Sequence, residues 1–230
     1  MAQVQPAVNK FASDVNKLER KFKGRLKTVI MSLSSMPDTE LITAIGQLNL
    51  FNEIVNSGYS DALVGLEKEY ETLLAKAVAE ANMRGVTPLS GAGLQGLEVL
   101  KDLNTAQLLG EASAYANTLT SQLFQNLYAN IPPERIVSEL LETNLLTHQL
   151  RVATYTGIKT FDDTARYKVF EGLDVRWTYL GPLDSRTRDE CRFTKENEPP
   201  NGYTEKEVLA LNTPFGFRGG FNCRHSWEVR

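Results

Sequence analysis

Apolar residues recur at helical spacing along the first part of the chain. The steps between them are three, four or seven residues, which places them on one stripe of a long helix with lysine and arginine residues beside it. The stripe consists of Val8, Phe11, Val15, Leu18, Phe22, Leu26, Val29 and Leu33. The pattern predicts a helix over residues 7–33, roughly 40 Å long at ~1.5 Å per residue. That length is large for part of a compact domain.

The helical periodicity continues after short interruptions. Pro37 and Asp38 end the first pattern and begin a second helix, and a third helix is predicted for residues 60–84. Helical spacing resumes over residues 97–129. The sequence Pro-Pro-Glu at 132–134 then opens another helix, because proline is tolerated in a first helical turn. The chain is predicted to stay helical to about residue 171.

A breaker-rich stretch separates these helices. Residues 85–96 contain four glycines and one proline in twelve positions, which predicts a hinge or an exposed loop. Gly91, Gly93 and Gly96 form a G-x-G-x-x-G pattern. In a dinucleotide fold this pattern lies between a strand and a helix, where backbone amides bind a pyrophosphate. Here the preceding segment is helical, so the loop interpretation is favoured over a nucleotide site.

Beyond residue 171 the pattern changes from helical to strand spacing. Val175, Trp177 and Tyr179 alternate with polar residues, and a Gly-Pro pair ends the run, which predicts a strand. Two S/T-x-x-E capping boxes, at 187–190 and 204–207, predict short helices. The final segment, residues 221–229, is compatible with a second strand.

These patterns predict a fold that is mainly α with a small C-terminal α/β (α+β) domain and extended N-terminal helices. The predicted order is a helical arm or bundle (1–84, with the basic helix 7–33), the Gly/Pro hinge loop (85–96), a helical domain (97–171) and the small α/β domain (172–230). A unit of about 60 residues buries little surface and is marginal by itself.

Composition and charge narrow the class of protein. The chain has 230 residues, 42% hydrophobic and 23% charged, which excludes a largely disordered protein. No apolar run approaches the ~18 residues of a membrane span, and the N-terminus has no apolar core of a signal peptide, so we expect a reducing, cytosolic environment first. Residues 1–36 carry seven basic and two acidic side chains, whereas residues 37–130 carry four and eleven.

The chemistry-bearing residues are concentrated at the C-terminus. Cys191 and Cys223 are the two cysteines of the chain, and His225 is one of its two histidines. If residues 221–229 are extended, Cys223, His225 and Trp227 project from one face, because strand side chains alternate. Two thiolates and an imidazole are three of the four ligands of a structural zinc ion.

The fourth ligand is not evident, and other uses of these residues stay open. His148 or Asp184 could complete a metal site, but neither gives the close C-x-x-C spacing of a zinc ribbon. The cysteines could instead be small buried side chains beside a hydrogen-bonded His225. A disulfide would close a loop of about 33 residues, worth on the order of 4 kcal/mol.

A cysteine hydrolase is a further alternative. Cys191 would be the nucleophile and His225 its base, which requires the two in hydrogen-bond contact and an oxyanion hole. Nearby, Arg186, Arg188, Arg218 and Arg224 could neutralise the acidic side chains of the small domain, which are Asp184, Asp189 and Glu190.

The order of these C-terminal motifs resembles a known family. The head morphogenesis, or minor capsid, proteins of tailed phages (the Mu F-like group) typically show a W-x-x-x-x-D-x-R-T segment, then a Cys or His, then a closing N-C-R-C or N-C-R-H. The corresponding residues here are Trp177, Tyr179, Asp184, Arg186, Thr187, Cys191, Asn222, Cys223, Arg224, His225 and Trp227. The resemblance covers about residues 145–230. His225 stands where a second cysteine often follows, and the P-x-H that often precedes the Cys-Arg pair is missing.

The resemblance implies a low-copy structural protein of the virion, with no enzymatic activity and no small-molecule substrate. Its expected partners are the portal protein and the major capsid protein, and its expected location is the capsid interior or portal vertex, after assembly in the host cytoplasm. The basic helix at residues 8–33 could bind DNA without sequence preference, because clustered Lys and Arg release counterions from phosphates. An internal protein ejected with the genome, lying on an anionic membrane through this helix, is an alternative.

Overall fold

The computed structural model describes residues 4–86 and 91–230, except for the side chain of Asp38. Its helices are α1 (Gln5–Leu33), α2 (Asp38–Gln47), α3 (Leu50–Ile54), α4 (Ser60–Met83), α5 (Gly91–Tyr128), α6 (Pro133–Glu142), α7 (His148–Phe170), α8 (Asp189–Glu196) and α9 (Glu205–Ala210), and its strands are β1 (Trp177–Leu180) and β2 (Ser226–Val229). The predicted fold class, mainly α with a small C-terminal α/β part, is confirmed. Within the described ranges, no helix has the length and apolar character that a membrane span requires.

The chain forms two compact units, each made of segments that are not consecutive. The C-terminal unit comprises Met1–Asn9, Leu66–Thr105 and Val152–Arg230, and the helical unit comprises Lys10–Gly65 and Ala106–Arg151. This division differs from the predicted consecutive one (1–84, 85–96, 97–171 and 172–230). The reason is that four long helices, α1, α4, α5 and α7, each contribute residues to both units.

The apolar stripe of α1 forms much of the core of the helical unit. Phe22 and Leu26 are almost completely buried, and the ring of Phe22 meets the ring of Tyr115 edge-on at 6.4 Å. The stripe is as predicted except near its end, where Ile30 is buried in place of the predicted Val29. Tyr59 is the last residue of a π-helical turn (Val55–Tyr59), and its hydroxyl donates a hydrogen bond to the Leu108 carbonyl at 2.8 Å.

The predicted hinge loop at residues 85–96 is shorter in the structure. The chain leaves α4 at Gly85, whose φ of 72° is in the left-handed region, and the Val86 N–H bonds back to the Ala81 carbonyl. Residues 87–90 lie outside the described residues. From Gly91 onward the chain is helical, so the loop prediction is wrong for residues 91–96. A glycine costs a helix only about 1 kcal/mol, and burial of the following Leu97 offsets such a cost.

The sheet of the C-terminal unit holds the segments that carry the site. Strands β1 and β2 pair antiparallel, with Tyr179 opposite Trp227, so the predicted strand around Trp177 is confirmed. The second strand begins only at Ser226, later than the predicted segment 221–229. Around it, Trp227 packs on Tyr179 and on Phe215 and donates its indole N–H to the Thr213 carbonyl at 2.7 Å.

One of the two predicted capping boxes is present. Thr204 and Glu207 exchange both hydrogen bonds of the box at the start of α9. The box predicted at Thr187 and Glu190 is wrong, because Arg188 is the residue that precedes α8 and it makes no side-chain cap. The Thr187 hydroxyl instead donates to the Pro182 carbonyl at 2.9 Å and accepts from the Asp184 N–H at 2.9 Å. These bonds stabilise the turn that leads from β1 to α8.

Candidate metal centre

Two cysteines and a histidine of the C-terminal unit meet in its interior. Cys191 lies in the first turn of α8, and Cys223 and His225 precede β2. The two Sγ atoms are 3.7 Å apart, and Cys223 Sγ is 3.8 Å from His225 Nδ1. One ligand atom from each of the three residues lies within 4.8 Å of the other two, and all three side chains are buried. We call these residues the sulfur–imidazole cluster.

Local backbone geometry brings the three side chains together. Cys223, His225 and Trp227 are buried and Arg224 is less so, but Ser226 is buried as well, and of the three only Trp227 lies in a paired strand. Two glycines allow the close approach. A Cβ on Gly219 would lie 2.2 Å from Cys191 Sγ, and a Cβ on Gly181 would lie 2.2 Å from His225 Cδ2. No larger residue fits at either position without displacing the cluster.

Two of the three distances within the cluster are close to those around a tetrahedral zinc ion, and the third, between Cys191 and the His225 ring, is at most 4.8 Å. With Zn–S of about 2.3 Å and Zn–N of about 2.0 Å, tetrahedral geometry separates two sulfur ligands by about 3.8 Å and a sulfur from a nitrogen by about 3.6 Å. The observed separations are 3.7 Å between the sulfurs and 3.8 Å between Cys223 Sγ and His225 Nδ1. A disulfide requires S–S of about 2.0 Å, so the cysteines are reduced.

The surroundings of the two sulfurs favour one thiolate. The backbone N–H of His225 lies 3.5 Å from Cys223 Sγ. The Cys191 thiol, the His225 side chain and the backbone N–H groups of His225 and Gly219 together lower the pKa of Cys223 well below its usual range. The same sulfur–sulfur hydrogen bond, aided by burial, raises the pKa of Cys191. Donors aimed at a sulfur stabilise its anionic form, which is the form that binds metals.

Tyr179 covers the cluster from the β1 side. Its ring stacks on the His225 ring at 5.0 Å and 9°. Its hydroxyl lies 3.4 Å from Cys191 Sγ and 3.8 Å from Cys223 Sγ, and burial raises its pKa, so the phenol stays protonated and donates toward sulfur. Among the described residues, nothing forms a hydrogen bond with His225 Nε2, although that atom is buried.

Neither candidate for a fourth protein ligand joins the cluster. Both carboxylate oxygens of Asp184 accept from the Arg224 guanidinium, at 2.5 and 2.6 Å, and His148 is the first residue of α7 in the helical unit. Within residues 4–86 and 91–230, the metal-ligand group contains only the three predicted residues.

The open side of the cluster adjoins a cavity of about 180 Å³. Its lining consists of Arg186, Thr187, Arg188, Cys191, Asn222, Cys223, Arg224 and His225. The Arg188 guanidinium is held by the carbonyl groups of Gly219 and Phe221. Of the four arginines expected to neutralise nearby acids, Arg224 does so with Asp184, whereas Arg188 binds backbone and Arg218 binds a residue of α7.

Arg218 binds Asp163 of α7, which belongs to a buried group of charged side chains that the sequence did not predict. Lys159 Nζ and Arg218 Nη1 lie 2.8 and 2.6 Å from the two oxygens of Asp163, which is fully buried. Asp162 lies 3.6 Å from Lys159 and 3.7 Å from Arg166, and burial raises its pKa. We call these five residues the α7 ion network. The sequence signal for this network was that the charged residues Lys159 and Asp162 directly follow the apolar residues Ile158 and Phe161 in a predicted helix.

The geometry also bears on the hydrolase alternative. His225 Nδ1 contacts Cys223 and not the predicted nucleophile Cys191, and the raised pKa of Cys191 keeps it a thiol. A protonated thiol is a poor nucleophile. Cys191 is therefore a poor nucleophile in the metal-free chain, and a metal ion that binds it must displace the thiol proton.

No protein family, no curated protein and no solved structure matches this chain. The resemblance of residues 145–230 to phage head proteins therefore stays a prediction.

Proposed function

We propose that this chain is a non-enzymatic structural protein of a tailed-phage head, of the minor capsid class, and that a zinc ion on Cys191, Cys223 and His225 stabilises its C-terminal unit. The observation that carries the proposal is that the residues of the resembling motif are mutual neighbours. Asp184 binds Arg224, Cys191 contacts Cys223, and Tyr179 packs on both His225 and Trp227. A motif that holds one small fold together is what a structural protein requires.

Zinc is the metal that this donor set favours. Thiolate and imidazole ligands suit zinc, and structural zinc sites supply folding energy directly. The last part of the C-terminal unit, residues 171–230, forms only a two-stranded sheet and the short helices α8 and α9, so an ion that joins α8 to the segment before β2 would stabilise this part considerably.

Metal analysis of the purified chain tests the zinc proposal. We expect one zinc per chain and a stability that rises with free zinc, by about 4 kcal/mol at 1,000 times the dissociation constant. Cys223→Ser should abolish both effects. Wild-type and variant should unfold alike in the presence of a chelator, which serves as the control. Unaltered zinc content in Cys223→Ser would remove the cluster as the binding site.

The proposed contact with packaged DNA rests on α1. Arg20, Lys21 and Lys27 are exposed on this helix, whereas Lys23 pairs with the buried Glu19 at 2.9 Å. Exposed cations along a helix bind duplex DNA through phosphates, with an affinity that falls steeply with salt. Replacing Arg20, Lys21 and Lys27 together by glutamine should weaken DNA binding and flatten its salt dependence.

Co-purification tests the head-protein proposal itself. The chain should sediment with purified virions and bind a ring of portal protein from the same phage. Its absence from virions would overturn the assignment, whatever the result of the zinc experiment, because zinc binding by itself does not identify a head protein.

A further inference from the structure

We propose that the cavity beside the sulfur–imidazole cluster binds an oxyanion, a phosphate or carboxylate group, one oxygen of which completes the coordination of the metal. This inference rests on the proposed zinc site. It goes beyond that site because it assigns a ligand to the cavity and a binding role to Arg186 and Arg188.

The proposed zinc site lacks a fourth protein ligand among the described residues. The described residues provide three ligands, and a tetrahedral zinc ion takes four. A site with three protein ligands keeps one position for water or an external ligand. All three ligand residues also line the cavity, so an ion bound by them adjoins the cavity and not closed protein interior.

The charge of the side chains that line the cavity favours an anion. Three arginines line the cavity, and no aspartate or glutamate does. Arg224 is neutralised by Asp184. Arg188 donates to two backbone carbonyls, which orients its guanidinium but leaves its charge uncompensated. A zinc ion with two thiolates and a neutral imidazole has no net charge, so Arg186 and Arg188 leave the lined space positive.

The guanidinium donors of the cavity match the oxygens of an oxyanion. Guanidinium groups bind carboxylate and phosphate oxygens through paired, charge-assisted hydrogen bonds. Because Arg188 is fixed by the Gly219 and Phe221 carbonyls, little of its conformational freedom remains to be lost when an anion binds. The cavity of about 180 Å³ is several times the ~30 Å³ that one water occupies in the liquid, so a phosphate or a carboxylate fits.

A water molecule as fourth ligand is the simplest competing occupant. Water would complete the metal but would leave the positive charge of the cavity without a partner. An oxyanion uses both the open coordination position and the charge, and for this reason we assign it.

Cobalt substitution of the full chain provides the test. Co²⁺ occupies tetrahedral zinc sites and has a visible spectrum that changes when a ligand is exchanged. We expect saturable spectral changes when inorganic phosphate or acetate is added at constant ionic strength, and none with perchlorate. The tighter-binding anion identifies the chemistry, phosphoryl for phosphate and carboxyl for acetate.

Arg186 is the residue to vary, because it is exposed and its loss should leave the fold intact. Arg186→Gln should weaken anion binding at least fivefold and Arg186→Lys should restore part of it, whereas Arg20→Gln, an equal loss of charge on α1, should have no effect. The inference is overturned, while the metal site stands, if neither anion changes the cobalt spectrum. It is also overturned if Arg186→Gln binds the anions as tightly as the wild type does. If Co²⁺ does not bind at all, the metal site and this inference fail together.

Discussion

Two buried polar clusters of the C-terminal unit differ in how completely their groups are paired. In the α7 ion network, Asp163 meets Lys159 and Arg218 within 2.8 Å, so its charge is balanced within the protein. Arg218 Nε, however, is buried without a hydrogen bond in the described structure. In the sulfur–imidazole cluster, two sulfurs and an imidazole face one another, and among the described residues no lysine or arginine donates a hydrogen bond to either sulfur. The paired cluster supports the fold by itself, whereas we propose that a zinc ion completes the other.

The largest effect should come from breaking the paired cluster. Asp163→Asn removes the charge between Lys159 and Arg218 and leaves two cations buried without it. A broken buried pair costs about 3–5 kcal/mol, and we expect a loss of this size in urea unfolding.

Asp162→Asn is the matched control for that change. Asp162 is also buried, but its ion-pair distances are 3.6 and 3.7 Å, and burial already raises its pKa toward the neutral form. Its replacement by a neutral amide should cost clearly less. Equal losses in the two variants would show that Asp163 is no more important to the network than Asp162.

A steric change should disrupt the unpaired cluster next most strongly. Gly219→Ala places a methyl group 2.2 Å from Cys191 Sγ, and overpacking of this kind costs about 1–3 kcal/mol. Zinc affinity should fall with stability, because the sulfur must move. Gly110→Ala, where nothing lies within 4 Å of the added atom, should be neutral or slightly stabilising. Full zinc affinity in Gly219→Ala would contradict the proposed ligand geometry.

Removal of one hydroxyl should separate the role of Tyr179 from ordinary packing. Tyr179→Phe keeps the ring stacked on His225 but removes the donor beside the sulfurs, at a cost of about 1 kcal/mol. Tyr203→Phe removes a comparable buried bond, to the Thr194 carbonyl at 2.7 Å, and should cost a similar amount. Only Tyr179→Phe should weaken zinc binding, by about 10–100-fold. A similar loss of zinc affinity in both variants would mean that the hydroxyl acts only through stability.

The smallest effect should be seen at the exposed ion pair beside the cavity. The Arg224 guanidinium holds the pKa of Asp184 well below its usual range. A depressed carboxyl pKa contributes stability that is present above the unfolded value of about 3.9 and is lost as pH falls through the folded value. Asp184→Asn should therefore lower the melting temperature slightly at neutral pH and not in strong acid. An equal shift at both extremes would exclude this linkage.

Much of the fold could be predicted because local patterns carried it. The α1 stripe, the strand at Trp177 and the capping box at Thr204 each depend on residues within a few positions of one another. The predictions that failed also rested on local spacing and composition. Thr187 has the right spacing for a cap but bonds to Pro182 and Asp184 instead, and Gly91 to Gly96 have the composition of a loop but start a helix of 38 residues.

The sequence by itself determined the helical class, the strand at Trp177 and the identity of Cys191, Cys223 and His225 as the candidate ligands. Periodicity and residue type record these features locally. Only the tertiary structure decided that Cys223, not Cys191, contacts the imidazole, that Asp184 is occupied by Arg224, and that Arg218 reaches Asp163. Such pairings join residues 2 to 55 positions apart, and charge and distance in the folded chain select among partners that composition leaves equivalent.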